Sequence, residues 1–259
     1  MLFQIKSFLQ FLWKSKNEHA VHSPFVFNLV AKCFYDKKPK PEYKVLKEYR
    51  DSLLKNKNTI EVTDFGAGSK VFKSNIRQIS KIAKTAGINQ KRAELLFRIT
   101  NYFQPATILE IGTSLGLATS ALALGNPKAS IITLEGCPET TKIAQDQLEK
   151  FSLTNVNSVV IEFITYLKNQ DPKPKIQDLI YFDGNHSKKA TLNYFDLLLP
   201  TVSNETLWIF DDIHWSPEME AAWEIIKTHP KVTVTIDTFQ WGMVFFRKEQ
   251  PKEHFVIRT

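Results

Sequence analysis

The chain has 259 residues, a hydrophobic content of 43% and a formal net charge of +7 at neutral pH. This composition is enough for a packed core, and the length fits one α/β domain with an appendage or two small domains. No apolar run approaches the roughly 18 residues of a membrane span. The amino-terminal segment has no small-residue cleavage site of the kind that follows a secretory signal. We therefore expect neither a membrane span nor a secretory signal.

The two cysteines, Cys33 and Cys137, are far apart and flank no metal-ligand pattern. We expect free thiols in a reducing compartment and a cytoplasmic location. The positive charge permits binding to nucleic acid or to an anionic membrane. The lysines are scattered, however, with modest clusters at Lys37–Lys44 and Lys168–Lys175. This pattern is typical of a solvated surface, so the sequence carries no strong nucleic-acid signal.

The segment from Met1 to Trp13 is apolar and aromatic, with interspersed lysines, and predicts an amphipathic helix. Such a helix can lie on a membrane surface, or it can pack on the domain or on a partner chain. We favour packing because the segment is short and weakly charged. A homodimer through this helix remains open.

Ser23 followed by Pro24 predicts the start of a second helix, with Ser23 as its cap. A Lys/Pro linker and a helix at Tyr43–Leu54 follow. Asp64–Ser69 has the spacing Asp-x-Gly-x-Gly and resembles a cofactor loop, but no acid-tipped second strand follows it. We expect a tight loop there, a candidate lid, and then an amphipathic helix at Asn75–Ala86. Residues 1–85 are thus predicted to form a helical cap.

A regular alternation of strands and helices begins after this cap and predicts a doubly wound, mostly parallel sheet. The last two of its seven strands are joined too tightly for a crossover helix, so that pair must be antiparallel. The predicted strands are Thr107–Ile111, Ile131–Glu135, Ser158–Phe163, Leu179–Asp183, Thr206–Phe210, Val232–Thr238 and Trp241–Arg247. The predicted helices are Gln90–Phe103, Leu117–Leu124, Pro138–Lys150, Lys189–Leu199 and Pro217–Thr228, with a short helix before a Pro/Lys loop at Asp171–Lys175.

The first of these strands ends in Glu110 and leads through a glycine turn into a helix. Gly112 lets the backbone come close to a ligand, and Gly116 permits close strand–helix packing. A glycine pair of this kind is weak by itself, because plain turns also contain it. The second strand, however, ends in Glu135, 25 residues after Glu110. An acid at that place is how a βαβ nucleoside site holds ribose hydroxyls.

The motif Ile108-Leu-Glu-Ile-Gly-Thr-Ser-Leu-Gly116, together with Thr133-Leu-Glu-Gly136, resembles the class I S-adenosylmethionine-dependent methyltransferases. It is closest in style to the catechol and caffeoyl-CoA O-methyltransferase branch, and the resemblance covers roughly Ile88 to Lys248. It implies the Rossmann-like methyltransferase fold for residues 86–259. It also implies that the glycine turn cradles the methionine part of the cofactor and that Glu135 binds the ribose. The implied cofactor-binding residues are Glu110, Gly112, Thr113, Ser114, Gly116, Glu135, Gly136, Phe163 and Asp183.

Three acids follow the fourth and fifth predicted strands, namely Asp183, Asp211 and Asp212. Because neighbouring parallel strands end at one edge, we expect these acids to converge there, next to Glu110. Their mutual repulsion would be relieved by a divalent cation, for which Mg²⁺ is the best fit and Mn²⁺ or Ca²⁺ an alternative. This pattern resembles the metal-dependent O-methyltransferases, which have one Asp after strand four and an Asp-Asn or acid-Asp pair after strand five. The acids could instead cap helices, or one could bind the cofactor amine.

The Asp183-x-x-His186 spacing is similar to that of macrolide-sugar O-methyltransferases, where the histidine serves as general base. That resemblance implies catalytic roles for His186 and Asp183. The expected reaction is metal-assisted deprotonation of a substrate hydroxyl by His186, then attack of the oxygen on the sulfonium methyl. His214 is expected to be a surface or supporting histidine. Trp215 and Trp241 could wall a substrate pocket, although tryptophan at strand ends is more often core.

The expected substrate is a small hydroxylated molecule. Two alternatives stay open. Base-amino methylation usually requires an Asn/Asp-Pro-Pro-aromatic loop where this chain has Asp183-Gly-Asn-His186, but other RNA methylation remains open. A non-catalytic binding module on the same scaffold is the other alternative, since fold alone does not fix function.

Overall fold

The structure is a computed structural model that describes residues 2–63, 74–169 and 176–259. The chain divides into two compact units, one formed by Met1–Tyr35 with Ile164–Thr259 and the other by Asp36–Phe163. The predicted division at residue 85 stays a prediction. The predicted loops at Asp64–Ser69 and Asp171–Lys175 lie outside the described residues. Within the described ranges, no helix has both the length and the hydropathy needed to cross a membrane.

The secondary structure comprises ten α-helices and ten strands over the described residues. The helices are α1 (Leu2–Lys14), α2 (Pro24–Leu29), α3 (Pro41–Lys55), α4 (Ile79–Thr85), α5 (Gln90–Phe103), α6 (Leu117–Gly125), α7 (Pro138–Lys150), α8 (Phe163–Lys168), α9 (Lys188–Leu198) and α10 (Pro217–Thr228). The strands are β1 (Thr59–Glu61), β2 (Ile76–Gln78), β3 (Thr107–Ile111), β4 (Ser130–Glu135), β5 (Val156–Val160), β6 (Leu179–Phe182), β7 (Leu207–Asp211), β8 (Val234–Asp237), β9 (Trp241–Phe245) and β10 (Glu253–Val256).

In the unit formed by residues 36–163, β3, β4 and β5 pair in parallel, in that order. Helix α5 leads into β3 with the predicted bounds. Asn89 caps its start by accepting from the Arg92 amide at 3.0 Å, and Gln104 ends it in the left-handed region, just before Pro105. Strand β3 is buried almost throughout, as expected for a strand covered on both faces. The helix cap and the proline thus fix where the glycine turn begins.

The other unit contains the predicted antiparallel strand. Strand β6 pairs with β7 in parallel, and β9 runs antiparallel to both β7 and β8. Strand β10 lies beyond the seven predicted strands and pairs in parallel with β8. The sequence analysis ended the sheet at Arg247, because a four-residue run after a Pro/Lys stretch carries too little periodicity to predict a strand. The predicted mixed, mostly parallel α/β sheet with preceding helices is confirmed.

Two local predictions are wrong. Residues 75–86 were expected to be wholly helical, but Ile76–Gln78 is a strand that pairs antiparallel with Thr59–Glu61, so the cap region also contains a hairpin. The strand expected at Ser158–Phe163 is Val156–Val160, and Phe163 begins α8. Strand β5 alternates between half-buried and exposed positions. Its hydrophobic pattern therefore does not define its ends.

Aromatic side chains form much of the core around β7 and β9. The rings of Phe182 and Phe210 stack at 4.2 Å, and Trp208 is fully buried beside them. Trp223 of α10 lies directly on the backbone of Gly242 in β9. A glycine is required there, because a side chain would occupy the space that the indole ring fills.

We predict that Gly242→Ala destabilises the protein by about 1–3 kcal/mol, because the new Cβ would lie 2.6–2.8 Å from three atoms of the Trp223 ring. Urea unfolding followed by tryptophan fluorescence measures this change. The matched control is Met243→Leu, a volume-conserving change at the next, fully buried position of the same strand. Equal stability of the two variants would contradict the packing argument.

Candidate active site

The loop after β3 contains left-handed backbone conformations that residues other than glycine rarely adopt. Gly112, Ser114 and Gly116 have φ angles of +106°, +48° and +75°. The amides of Gly112 and Thr113 both donate to the Leu134 carbonyl, at 3.0 and 3.1 Å. The loop is therefore fastened to β4 as soon as it leaves β3. This is the strand–turn–helix that the sequence predicts.

Tyr49 of α3 supports this loop, and sequence reasoning missed it. Its hydroxyl donates to the Leu115 carbonyl at 3.0 Å and occupies the space where a Cβ of Gly116 would lie. Burial, with a smaller effect of Glu110, raises the pKa of Tyr49, so the hydroxyl stays protonated and can donate. The close approach at Gly116 is thus made by a tyrosine 67 residues earlier in the chain. No local sequence pattern signals such a contact.

Glu110, the last acid of β3, is fully buried. Its Oε2 accepts hydrogen bonds from the hydroxyls of Thr119 in α6 and Thr133 in β4, both at 2.5 Å. Its Oε1 has no hydrogen-bond partner among the described residues. Burial raises the pKa of Glu110 to about 7, against the opposing effect of the two threonines, and the nearby Glu135 adds to the rise. A buried carboxylate with one open oxygen is suited to a cationic or hydrogen-bond-donating ligand.

Glu135 lies at the tip of β4 and bridges to the same loop. Its Oε2 accepts from the Ser114 amide at 2.9 Å, and its Oε1 accepts from the Cys137 amide at 3.1 Å. Gly136 follows at a half-buried position. The structure thus brings Glu110, Glu135 and the glycine turn together, as predicted. Phe163 is half-buried at the first position of α8.

We predict that Glu110 makes the protein less stable as the pH rises. The folded-state pKa of about 7 lies above the reference value of 4.5, so the folded state binds the proton more tightly. Between pH 4.5 and about pH 7, the free energy of unfolding should fall with increasing pH, by up to about 3 kcal/mol from this group. Urea unfolding over this pH range measures the slope.

In the Glu110→Gln variant, the free energy of unfolding should no longer show this fall with increasing pH. Thr119→Val removes a donor that favours the carboxylate and should extend the slope to higher pH. If wild type and Glu110→Gln have the same pH dependence, the buried carboxylate does not behave as described.

Asp183 and Asp211 end up side by side in the unit that contains β6 and β7. The parallel register pairs Phe182 with Phe210, and each acid comes one residue later. Asp211 is buried, and its Oδ1 accepts from the amide of Asp212 at 2.9 Å. The same Asp212 amide also donates to the Gln240 carbonyl at 2.8 Å. Asp211 therefore helps to build the turn after β7.

His186 begins the segment that leads into α9. Its Nε2 lies 3.5 Å from Asp183 Oδ1. Ser187, the next residue, caps α9 by accepting from the Ala190 amide at 3.3 Å. Asn185 has a φ of +51° and accepts from the Ser187 hydroxyl at 3.1 Å. His186 and Asp183, which the sequence analysis singled out by their spacing, thus lie within ion-pair distance, and the turn between them contains Asn185 in the left-handed region.

The predicted metal site remains a prediction. Within residues 2–63, 74–169 and 176–259, no group of three or more His, Cys, Asp or Glu side chains is arranged to hold a metal ion. Asp183, Asp211 and Asp212 belong to two successive turns, and one oxygen of Asp211 is engaged by the backbone. This donor set, as arranged, does not fit a bound cation.

His214 is held by two carboxylates. Its Nε2 lies 2.8 Å from Asp237 Oδ2 and its Nδ1 lies 3.4 Å from Glu220 Oε2. Burial lowers its pKa, but the hydrogen bond and charge of Asp237, with those of Glu220, outweigh burial, so the net effect is a raised pKa. Because ionised carboxylates only accept, both nitrogens are expected to carry protons. The supporting role predicted for His214 fits this arrangement. Trp241 is buried core, whereas Trp215 is partly exposed.

Residues 109–213 match a family model described as a methyltransferase domain. The fold is similar to that of the methyltransferase PaMTH1 from Podospora anserina, solved with S-adenosylhomocysteine, at 15% identity and a TM-score of 0.62, covering 88% of this chain and 97% of that one. An O-methyltransferase from Bacillus cereus, also solved with S-adenosylhomocysteine, is similar at 16% identity and a TM-score of 0.57. The match covers 84% of this chain and 96% of that one.

The O-methyltransferase TomG from Streptomyces achromogenes is involved in tomaymycin synthesis and was solved with S-adenosylmethionine. It is similar at 14% identity and a TM-score of 0.58, and the match covers 84% of this chain and 95% of that one. At such low identity these likenesses establish the fold, which is the Rossmann-like fold of the class I methyltransferases. The family match adds that residues 109–213 are similar to a methyltransferase domain.

Proposed function

We propose that the chain transfers the methyl group of S-adenosylmethionine to an oxygen of a small hydroxylated molecule, with His186 as general base. The observation that carries this proposal is the imidazole of His186 beside Asp183, at the end of the strand next to β7. The names of the similar solved structures, two of which are O-methyltransferases, support transfer to oxygen.

The residues after β3 and β4 fit the cofactor. S-adenosylmethionine supplies a methyl group on a positively charged sulfur, an amino group and ribose hydroxyls. The open Oε1 of Glu110 can accept a hydrogen bond from a ligand cation, and Glu135 is the acid suited to ribose hydroxyls. The glycine turn leaves its backbone close to the ligand. Thr113 and Ser114 hold that turn in its left-handed path.

His186 would take the proton of the substrate hydroxyl as the oxygen attacks the methyl carbon. Imidazole is the side chain suited to this transfer near neutral pH. Asp183, 3.5 Å away, would orient the ring and stabilise the imidazolium that forms. Positioning the acceptor oxygen in line with the methyl group supplies most of the remaining rate enhancement.

We predict that His186→Ala lowers methyl transfer by at least about 100-fold and leaves S-adenosylhomocysteine binding within about twofold. Radiolabelled methyl transfer to a panel of catechols measures the first, and calorimetric titration the second. The matched control is His19→Ala, since the side chain of His19 is 82% exposed and its described contact is with neighbouring Glu18. Equal losses of turnover and cofactor binding would contradict the role as base.

Metal assistance is a separate proposal, and no step above depends on it. If Asp183, Asp211 and Asp212 do rearrange around Mg²⁺ when an acceptor binds, activity should fall in EDTA, return with Mg²⁺, and be lost in Asp212→Asn. Cofactor binding should be unchanged by EDTA. Full activity in EDTA would reject the metal. Cofactor binding without transfer to any hydroxylated acceptor would instead favour a binding module.

A further inference from the structure

Helix α1 carries a row of apolar side chains that the fold leaves in contact with water. Four apolar residues recur at spacings of three and four residues, which places them on one face of the helix. They form the exposed stripe of α1 and are Leu2, Ile5, Leu9 and Trp13, at 86%, 51%, 60% and 86% exposed. Apolar surface of this extent is unfavourable in water unless a partner covers it.

The opposite face of α1 is packed, and this contact fixes the orientation of the helix on its unit. Ser7 and Phe11 are buried there, and the Ser7 hydroxyl donates to Glu220 Oε2 at 3.0 Å. The ring of Phe11 lies 5.5 Å from that of Phe239, which stacks on His214. The predicted packing of this helix on the domain is therefore present on one side only. Turning the helix to bury the exposed stripe would break these contacts.

The chain just beyond α1 is also fastened to its unit. The Lys16 amide donates to the Val256 carbonyl at 2.8 Å, and the Arg258 amide donates to the Lys16 carbonyl at 3.4 Å. Lys16 thereby pairs in parallel with Ile257, directly after β10. This pairing brings the exposed Arg258 next to the exposed Lys16, at the carboxyl-terminal end of α1.

The charged side chains of the amino-terminal segment are almost all cationic. The first twenty residues contain Lys6, Lys14 and Lys16, which are exposed, and a single acid, Glu18. Glu18 is half-buried, and its described ion pair is with the neighbouring His19. Lys6 borders the exposed stripe, because it comes four residues after the first member of the stripe and three before the third. The stripe is thus flanked by positive charge.

Acids also approach α1, and they do so from its packed side and from a cavity beside it. Glu220 and Asp237 both bind His214, at 3.4 and 2.8 Å, so the cation of His214 is shared between two carboxylates. Asp212 and His214 line a cavity to which residues of the exposed stripe also contribute. This wall is net negative. We therefore expect the cations at the carboxyl-terminal end of α1, rather than this wall, to attract an anionic partner.

We propose that α1 binds the surface of an anionic phospholipid bilayer through its exposed stripe. The stripe enters the boundary between headgroups and acyl chains, as the apolar face of an interfacial helix does. Trp13 suits that depth, because its indole has an apolar body and a polar N–H. The lysine stems lie along the apolar surface while their ammonium groups reach the lipid phosphates. This proposal does not depend on the proposed function.

A second copy of the chain fits the exposed stripe less well. In a symmetric dimer the same patch meets itself, so Lys6 and Lys14 of both copies would share one interface. Helix α1 contains no acid that could pair with them. Anionic lipid supplies the missing negative charge. Charge complementarity therefore favours the bilayer.

Sedimentation of the full chain with vesicles of equal parts phosphatidylglycerol and phosphatidylcholine tests the proposal. Leu9→Gln should weaken binding about fivefold and Trp13→Ala at least about tenfold, because each removes apolar surface that the bilayer covers. The matched control is Ile225→Gln, at an aliphatic residue of α10 that is 45% exposed. It should change binding by less than about twofold. Equal effects of Leu9→Gln and Ile225→Gln, or no binding of wild type, would overturn the proposal.

Quenching of tryptophan fluorescence by brominated phospholipid in the same vesicles reports insertion directly. Of the five tryptophans, Trp208, Trp223 and Trp241 are buried and Trp215 is 36% exposed, so Trp13 is the most accessible. Trp13→Phe keeps an aromatic side chain and should bind within about threefold of wild type, yet lose most of the quenching. Quenching that is unchanged in Trp13→Phe would show that the exposed stripe does not insert, and would reject the proposal.

The contribution of the cations is tested by Lys14→Gln combined with Lys16→Gln. This double variant should bind the anionic vesicles about tenfold more weakly than wild type, and added salt should weaken wild type in the same direction. The matched control is Lys231→Gln combined with Lys252→Gln, at two exposed lysines that precede β8 and β10, whereas α1 and Lys16 contact the residues after these strands. Equal binding of wild type to anionic vesicles and to pure phosphatidylcholine would overturn the assignment of an anionic surface.

Sedimentation velocity without lipid tests the other occupant of the exposed stripe. Wild type and Trp13→Ala should sediment alike. A dimer that Trp13→Ala dissociates would show that a second copy covers the stripe instead of a bilayer, and would overturn the proposal.

Discussion

The hydroxyls of Thr119 and Thr133 converge on one oxygen of the fully buried Glu110, and the glycine turn after β3 is built next to that contact. These donors come from the helix after the loop and from the next strand, so the carboxylate joins β3, α6 and β4. Burial raises its pKa, and the hydrogen bonds from the two threonine hydroxyls offset this rise only in part. The second oxygen has no hydrogen-bond partner among the described residues. A ligand that donates to this oxygen would offset part of the burial cost, so its binding would also stabilise the fold.

In the other unit, the largely buried His214 has charged partners within the protein, unlike Glu110. His214 is held between Asp237 and Glu220, so its charge is paired within the protein and needs no ligand. The pairing fixes the ring on which Phe239 stacks. His186, by contrast, lies 3.5 Å from Asp183 and follows a strained turn. His214 thus positions the ring of Phe239, whereas the described contact of His186 is with Asp183.

The sequence was informative wherever a local signal defines an end. Helices α5, α7 and α10 have the predicted bounds, because caps and prolines mark their starts. The glycines of the turn after β3 are a local signal of the same kind. The contact of Tyr49 with Gly116 could not be predicted, since it joins segments far apart in the chain. Nor could the strands at Ile76–Gln78 and Glu253–Val256, which are too short to carry a period.

The carboxylates at the strand ends illustrate a further limit of sequence reasoning. Three acids after adjacent strands suggested a metal, but the composition of a turn does not say where its oxygens point. Asp211 directs one oxygen to the Asp212 amide, and Asp212 itself has a φ of +55°. The backbone thus uses charge that the pattern assigned to a cation. Helix α1 shows the same limit, because both of its sides are apolar and the sequence could not say which side is exposed.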